Sequence, residues 1–131
     1  MTKISIGFNS LKFDLDNNGE ITYAVMLELS GADRNRYMEF VDKNVQRDAE
    51  GKAIGRKSWK RSQTFLLSLC LHHAKLDETG RPVVSGDSYE AGDLITEQTL
   101  ASWPDHPLQI LSQSAVALSK LAETREDAGN G

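Results

Sequence analysis

Hydrophobic and polar residues alternate along the first part of the chain, which is the pattern of half-buried strands. Leu11, Phe13 and Leu15 alternate with polar residues, and the same period returns after residues 17–19, which read Asn-Asn-Gly. Asn and Gly both accept the left-handed backbone conformation that a tight hairpin turn requires. The pattern therefore predicts a β-hairpin over about residues 10–28.

Beyond residue 28, apolar residues recur every three or four positions, which is typical of helices. Ser30 is a suitable N-cap, and Asp33 follows it in a weak form of the capping box. Helices are predicted over about residues 31–46, 58–75, 96–102 and 105–122. The apolar run from Phe65 to Leu71 could form a buried strand, but it lacks β-branched residues and extends a helical pattern from Trp59, so a buried helix is favoured.

The remaining segments are polar and rich in glycine, and they are predicted to be irregular. Residues 48–55 form a connector, and residues 77–95 form a long loop. Residues 125–131 form a flexible tail. The expected fold is mainly α with an N-terminal β-hairpin (α+β), in one compact domain of about four helices over residues 1–124.

Composition and charge narrow the range of functions. The chain has 131 residues, of which 39% are hydrophobic, and one cysteine. These values fit one core without disulfides in a reducing compartment. Neither a signal peptide nor a membrane span is visible, so a soluble, cytosolic protein is expected. The net charge of −4 disfavours nucleic acid and anionic lipid as partners.

Three patterns bear on metal binding and catalysis. Residues 14–21 match the first eight positions of a calcium-binding EF-hand loop, but Val25 occupies the twelfth position, where a Glu is needed. A solvated hairpin turn is favoured, and weak cation binding is the alternative. The cysteine and the histidines lack the usual spacing of zinc ligands. No nucleophilic side chain is spaced so that a base could activate it. The residues considered for these sites are Asp14, Asp16, Cys70, His72, His73 and His106. We therefore predict no catalytic residue, no metal and no cofactor.

A basic cluster surrounds Trp59 and comprises Lys52, Arg56, Lys57, Lys60 and Arg61. Gly51 and Gly55, in the same segment, have three residues between them, whereas a phosphate-binding loop needs four between its glycines. Aromatic residues among cations can bind nucleic acid, and cations can also attract an acidic protein partner. A solvated surface is the third interpretation. The net negative charge favours protein over nucleic acid.

The order of several landmarks resembles that of the tail assembly chaperones of lambda-type long-tailed bacteriophages. Glu28-Leu29-Ser30 begins a helix that contains Arg34 and Tyr37, an apolar segment follows over residues 65–73, and Ser102-Trp103-Pro104 precedes an amphipathic helix. The resemblance covers roughly residues 21–123. It does not extend to the Asp-rich hairpin turn or to the connector around residues 51–55.

The resemblance implies a small, acidic, mainly helical protein without enzymatic activity in the host bacterial cytoplasm. It implies binding to the tape measure protein during tail assembly, absence from the mature virion, and recruitment of the tail tube protein by a longer, frameshifted product. Self-association is a further option. A small calcium- or nucleic-acid-binding regulatory protein is the alternative function. The candidate partner-binding residues are Tyr37, Phe40, Arg56, Trp59, Lys60, Arg61 and Trp103.

Overall fold

A computed structural model describes residue 4, residues 7–56 and residues 59–121 of the chain. These residues contain four helices, namely α1 (Gly31–Asn44), α2 (Trp59–Cys70), α3 (Glu97–Ala101) and α4 (Asp105–Ser119). They also contain eight strands, namely β1 (Ser10–Asn17), β2 (Glu20–Leu27), β3 (Val45–Arg47), β4 (Ala53–Arg56), β5 (Leu71–Ala74), β6 (Val84–Ser85), β7 (Ser88–Tyr89) and β8 (Ala91–Leu94). The expectation of a mainly helical fold is therefore wrong, because helices and strands are mixed throughout the described residues.

The predicted N-terminal hairpin is present as β1 and β2. The two strands are antiparallel, and Asn17 pairs with Glu20 across a two-residue turn. Asn18 and Gly19 have φ angles of 54° and 94°. These positive values match a type I′ turn, whose twist fits that of the flanking strands.

Three of the predicted helices lie close to their expected bounds. Ser30 caps α1, because its hydroxyl accepts a hydrogen bond from the Asp33 N–H at 3.1 Å. Thr96 caps α3 in the same way. Helix α4 ends at Ser119, and its C-cap Lys120 has a left-handed φ of 52°. The Ser30 and Thr96 caps use side-chain chemistry that the sequence displays directly, whereas α4 ends three residues before its predicted end at 122.

The helix predicted over residues 58–75 is wrong in its last part. Helix α2 ends at Cys70, and the chain enters strand β5 without a loop. Leu71 pairs with Met26 of β2, and His72 pairs with Leu94 of β8, so β5 is a central strand. Strand β5 reads Leu-His-His-Ala, with Leu71 and Ala74 buried and His73 exposed, so no apolar alternation marks it and its pairing with β2 and β8 makes it a strand.

The two segments predicted to be irregular contain short strands. Strands β3 and β4 form a hairpin over the predicted connector, where the Asp48 side chain accepts hydrogen bonds from the backbone N–H groups of Glu50 and Lys52. Within the predicted 77–95 loop, β6 and β7 pair with each other, and β8 extends the main sheet. A Cβ on Gly92 would lie 2.9 Å from the His73 carbonyl oxygen, so glycine permits the close approach of β8 to β5.

The main sheet is antiparallel with the strand order β1-β2-β5-β8. One face packs against the helices and forms the hydrophobic core. Met26 and Leu71 from the sheet meet Leu67 and Leu108 from the helices in this core, and all four are fully buried. On the outer face, Tyr89 of the β6–β7 hairpin lies edge-on to Tyr23, with ring centroids 5.8 Å apart.

Candidate protein-binding surface

Arg61, one of the predicted partner-binding residues, lies on the first turn of α2 and contacts two other helices. Its Nε pairs with Oε1 of Glu97 on α3. Its guanidinium carbon lies 5.5 Å from the ring centroid of Phe40 on α1, within the range of a cation–π contact. The side chain is still 58% exposed, so the cation contributes to the surface while it joins three helices.

Phe40, also predicted as a partner contact, stacks on Phe65 of α2. The two rings are 4.4 Å apart and 19° from parallel. Both side chains are half-buried, so each ring has one part against the protein and another part in solvent. We call Phe40, Arg61, Phe65 and Glu97 the Phe40 ridge. It combines apolar area with a cation and an anion at the junction of α1, α2 and α3.

The other predicted aromatic contacts differ from Phe40 in exposure. Tyr37 is 3% exposed and belongs to the hydrophobic core, so its side chain is not available to a partner in this structure. Trp103 is half-buried against the core at the corner between α3 and α4. The side chains of Arg56, Trp59 and Lys60 lie outside the described part of the chain. Lys57 also lies outside it.

The aspartates of the hairpin are occupied by protein groups. The Asp16 carboxylate accepts a hydrogen bond from the Gly19 N–H at 2.7 Å, and the Asp14 carboxylate accepts one from the Tyr89 hydroxyl at 2.5 Å. Strands flank the turn, whereas an EF-hand requires helices. Val25, at the twelfth position, is fully buried. The arrangement is that of a structural hairpin turn.

The cysteine and the histidines considered for zinc do not converge. Burial, with a smaller contribution from Asp33, raises the pKa of the Cys70 thiol to about 12, which keeps the thiol protonated and unreactive. His72 and His73 follow the C-terminal end of α2 on strand β5. His72 Nδ1 lies 3.0 Å from the Gly92 carbonyl oxygen. Among the described residues, no group of three or more His, Cys, Asp or Glu could hold a metal ion.

Two contacts were missed in the sequence, one on the Phe40 ridge and one on the outer face of the sheet. Glu97 is 36 residues from Arg61, and Tyr89 is 75 residues from Asp14. No local pattern marks either pair, because the fold alone brings them together. The charge of Glu97 could have been noticed as an acid in the first turn of a predicted helix.

Comparisons with protein-family models, with curated proteins and with solved structures found no match for this chain. In the described residues, no helix is both long and apolar enough to cross a membrane.

Proposed function

We propose that this chain is a tail assembly chaperone of a lambda-type long-tailed bacteriophage. In this proposal it acts without enzymatic activity in the host bacterial cytoplasm. It binds the tape measure protein while the tail assembles, and it is absent from the mature virion.

One observation carries the proposal: the segments that bear the resemblance contact one another in the fold. Arg34 of the first segment donates a hydrogen bond to the Ser119 carbonyl at 2.9 Å at the end of α4. The apolar segment supplies core residues such as Leu66, and Trp103 packs against the same core. A resemblance concentrated at framework positions is expected of two proteins that share a scaffold and differ on their surfaces.

The Phe40 ridge supports a protein as the partner. A tape measure protein is a long helical chain, and an amphipathic helix can place its apolar face on half-exposed aromatic rings. Phe40 and Phe65 offer such rings, and Arg61 offers a cation that can attract acidic residues beside the apolar face. Helix α1 has further half-buried apolar side chains, Met38 and Val41, which pack against the hydrophobic core.

The proposal also includes recruitment of the tail tube protein by a longer, frameshifted product. Its linker would begin in the polar residues 125–131, which lie outside the described residues. Gly, Asn and charged residues suit a flexible linker. A slippery codon run close to the end of the gene, with a second reading frame open beyond it, would support this part of the proposal.

The proposal predicts that a very long, helix-predicted protein is encoded beside this chain, and co-expression with that protein is the deciding experiment. The proposal predicts that the long protein becomes soluble and co-purifies with this chain. Phe40→Glu on the ridge should reduce the co-purified amount, and Asn35→Glu is the matched control, because Asn35 is exposed and lies well round the same helix from Phe40. An insoluble long protein in every case would overturn the proposal. A tight, salt-sensitive complex with DNA or RNA would favour the alternative regulatory protein instead.

A further inference from the structure

Strand β1 is an edge of the main sheet, since β2 is its neighbour on one side and no described strand pairs with the other side. It is eight residues long, which makes it a substantial row of backbone donors and acceptors. An exposed edge of this kind is a template for a further strand. Its side chains decide which strand fits.

The free backbone groups belong to the even-numbered residues of β1. In an antiparallel pair, alternate residues direct their N–H and C=O groups toward the neighbour. Asn17 and Glu20 flank the two-residue turn and form the first hydrogen-bonded pair, so odd-numbered residues of β1 bond to β2. The Asn9 carbonyl, which accepts from the Glu28 N–H at 2.8 Å, has the same parity. Lys12 and Asp14 therefore direct their backbone groups outward.

The two faces of β1 carry different chemistry. On the outer face, the Lys12 ammonium lies 5.4 Å from the centroid of the Tyr89 ring, and the Asp14 carboxylate accepts the Tyr89 hydrogen bond. On the helix face, Phe13 and Leu15 pack against the core and stay partly exposed. Leu11 precedes them on this face and is 39% exposed.

We propose that two copies of this chain associate through their β1 strands, antiparallel and centred on Phe13. Lys12 of each copy then lies opposite Asp14 of the other copy. The same register places Phe13 opposite Phe13 of the second copy, and Leu11 opposite Leu15. The two main sheets become one continuous eight-stranded sheet. This inference does not depend on the proposed function.

The sequence of β1 selects this register over its neighbours. A shift by one pair in one direction places Lys12 opposite Lys12 of the second copy, and a shift in the other direction places Asp14 opposite Asp14. Like charges directly opposite each other destabilise a sheet, whereas opposite charges and aromatic pairs stabilise it. Registers of the other parity would set outward-facing backbone groups against inward-facing ones. The charges that often protect an edge strand are thus self-complementary here.

The experiment measures the mass of the purified full chain by sedimentation equilibrium from micromolar to millimolar concentration. The wild-type chain should form a dimer. Lys12→Asp and Asp14→Lys should each raise the dimer dissociation constant by about tenfold or more, because each places two like-charged pairs at the interface. An equimolar mixture of these two variants should recover dimers, since every cross-strand pair then has opposite charges.

Two controls separate this interface from a general loss of structure. Asp16→Asn removes a charge from the same face of β1, but it lies opposite the uncharged Ser10 of the second copy, so dimerisation should persist. Tyr89→Phe removes the hydroxyl that binds Asp14 and leaves both cross-strand charges in place. Circular dichroism of each variant checks the fold.

Amide hydrogen exchange locates the interface along the strand. The amides of Lys12 and Asp14 should become protected as the concentration rises, whereas the amides of Leu11 and Phe13 are protected at all concentrations by β2. A monomer up to millimolar concentration overturns the proposal. A dimer that survives both charge reversals, or one that the mixture does not restore, also overturns it.

Discussion

Arg34 binds the C-terminal end of α4 by donating one hydrogen bond to the Ser119 carbonyl and one to the Lys120 carbonyl, each at 2.9 Å. The hydroxyl of Ser119 accepts a further hydrogen bond from the buried Leu29 N–H at 2.9 Å. The start of α1 is therefore joined to the end of α4 by three hydrogen bonds, two from the Arg34 side chain and one from the Leu29 backbone. A guanidinium suits this position because helix ends leave carbonyl groups without partners and carry partial negative charge.

The first prediction concerns this junction. Ser119→Ala leaves the buried Leu29 N–H without an acceptor, which should lower the free energy of unfolding by about 1–3 kcal/mol. Arg34→Ala should cost about 1 kcal/mol or more through the lost hydrogen bonds. Arg36→Ala is the control, because its side chain is 62% exposed and pairs with Asp33 on the surface. Urea denaturation of the three variants measures the differences, and equal effects of Arg34→Ala and Arg36→Ala would contradict the assignment.

The second prediction compares two neighbours on α4. Leu111 is 3% exposed, whereas Ile110 is 48% exposed. Leu111→Ala should therefore cost about 2–5 kcal/mol through lost burial and a residual cavity, and Ile110→Ala should cost well under half of that. Leu69→Ala, at a residue 8% exposed on α2, should resemble Leu111→Ala. Thermal unfolding is the measurement. An unchanged melting temperature for Leu69→Ala would contradict the position of α2 in this fold.

Features set by neighbouring residues could be predicted from the sequence. The Asn-Gly turn needs only the conformational freedom of two residues, and it was predicted correctly. The Ser30 cap and the 3,4 spacing of Leu108, Leu111 and Ala115 are equally local, and these three residues are all buried. Helix α1 ends two residues earlier than predicted, within the usual uncertainty of helix ends.

Features set by distant pairing could not be predicted in the same way. Residues 71–74 form a strand because β2 and β8 lie on either side, and β8 is a strand although it contains Gly92 and little apolar sequence. In both cases tertiary contacts outweigh local preference. For the candidate site, the exposed cation of Arg61 was predicted, but its contacts with Phe40 and Glu97 depend on the packing of three helices.

The third prediction concerns calcium. The Asp14 and Asp16 carboxylates already accept hydrogen bonds from protein groups, and the flanking strands cannot provide the bidentate Glu of an EF-hand. Titration with calcium to the millimolar range should leave the amide resonances of residues 14–20 essentially unmoved. Magnesium at the same ionic strength is the control for nonspecific effects. A saturable shift at micromolar calcium would restore the metal-binding interpretation.

The fourth prediction concerns alkaline pH. The hydrogen bond to Asp14, with smaller contributions from burial and from nearby charge, raises the pKa of Tyr89 from 10.0 to about 12. Because the folded-state pKa lies above the unfolded value, this interaction stabilises the fold fully below pH 10 and is lost as the pH rises through about 12. Carbon-13 NMR of labelled tyrosine rings measures the titration. Asp14→Ala should lower the pKa of Tyr89 toward its ordinary value, and no change in that variant would contradict the hydrogen bond.

The fifth prediction separates two roles of Arg61. Arg61→Glu places a second carboxylate beside Glu97, which should destabilise the fold by about 1 kcal/mol or less because the pair is largely exposed. The double variant Arg61→Glu with Glu97→Arg restores an ion pair of reversed polarity, so its melting temperature should return close to that of the wild-type chain. The two variants thus differ in stability and share the loss of the cation at position 61.

Capture of the tape measure protein then distinguishes the roles. If the Arg61 cation meets acidic residues of the partner, both variants should bind less tightly, on the order of tenfold, whatever their stability. Recovery of capture in the double variant would mean that Arg61 holds the three helices together and does not touch the partner. Arg81→Glu controls for a general loss of positive charge, because Arg81 is exposed and lies outside the three helices. Co-purification of the tape measure protein and titration calorimetry provide the measurement. The double variant gives the decisive comparison because its fold is expected to be intact.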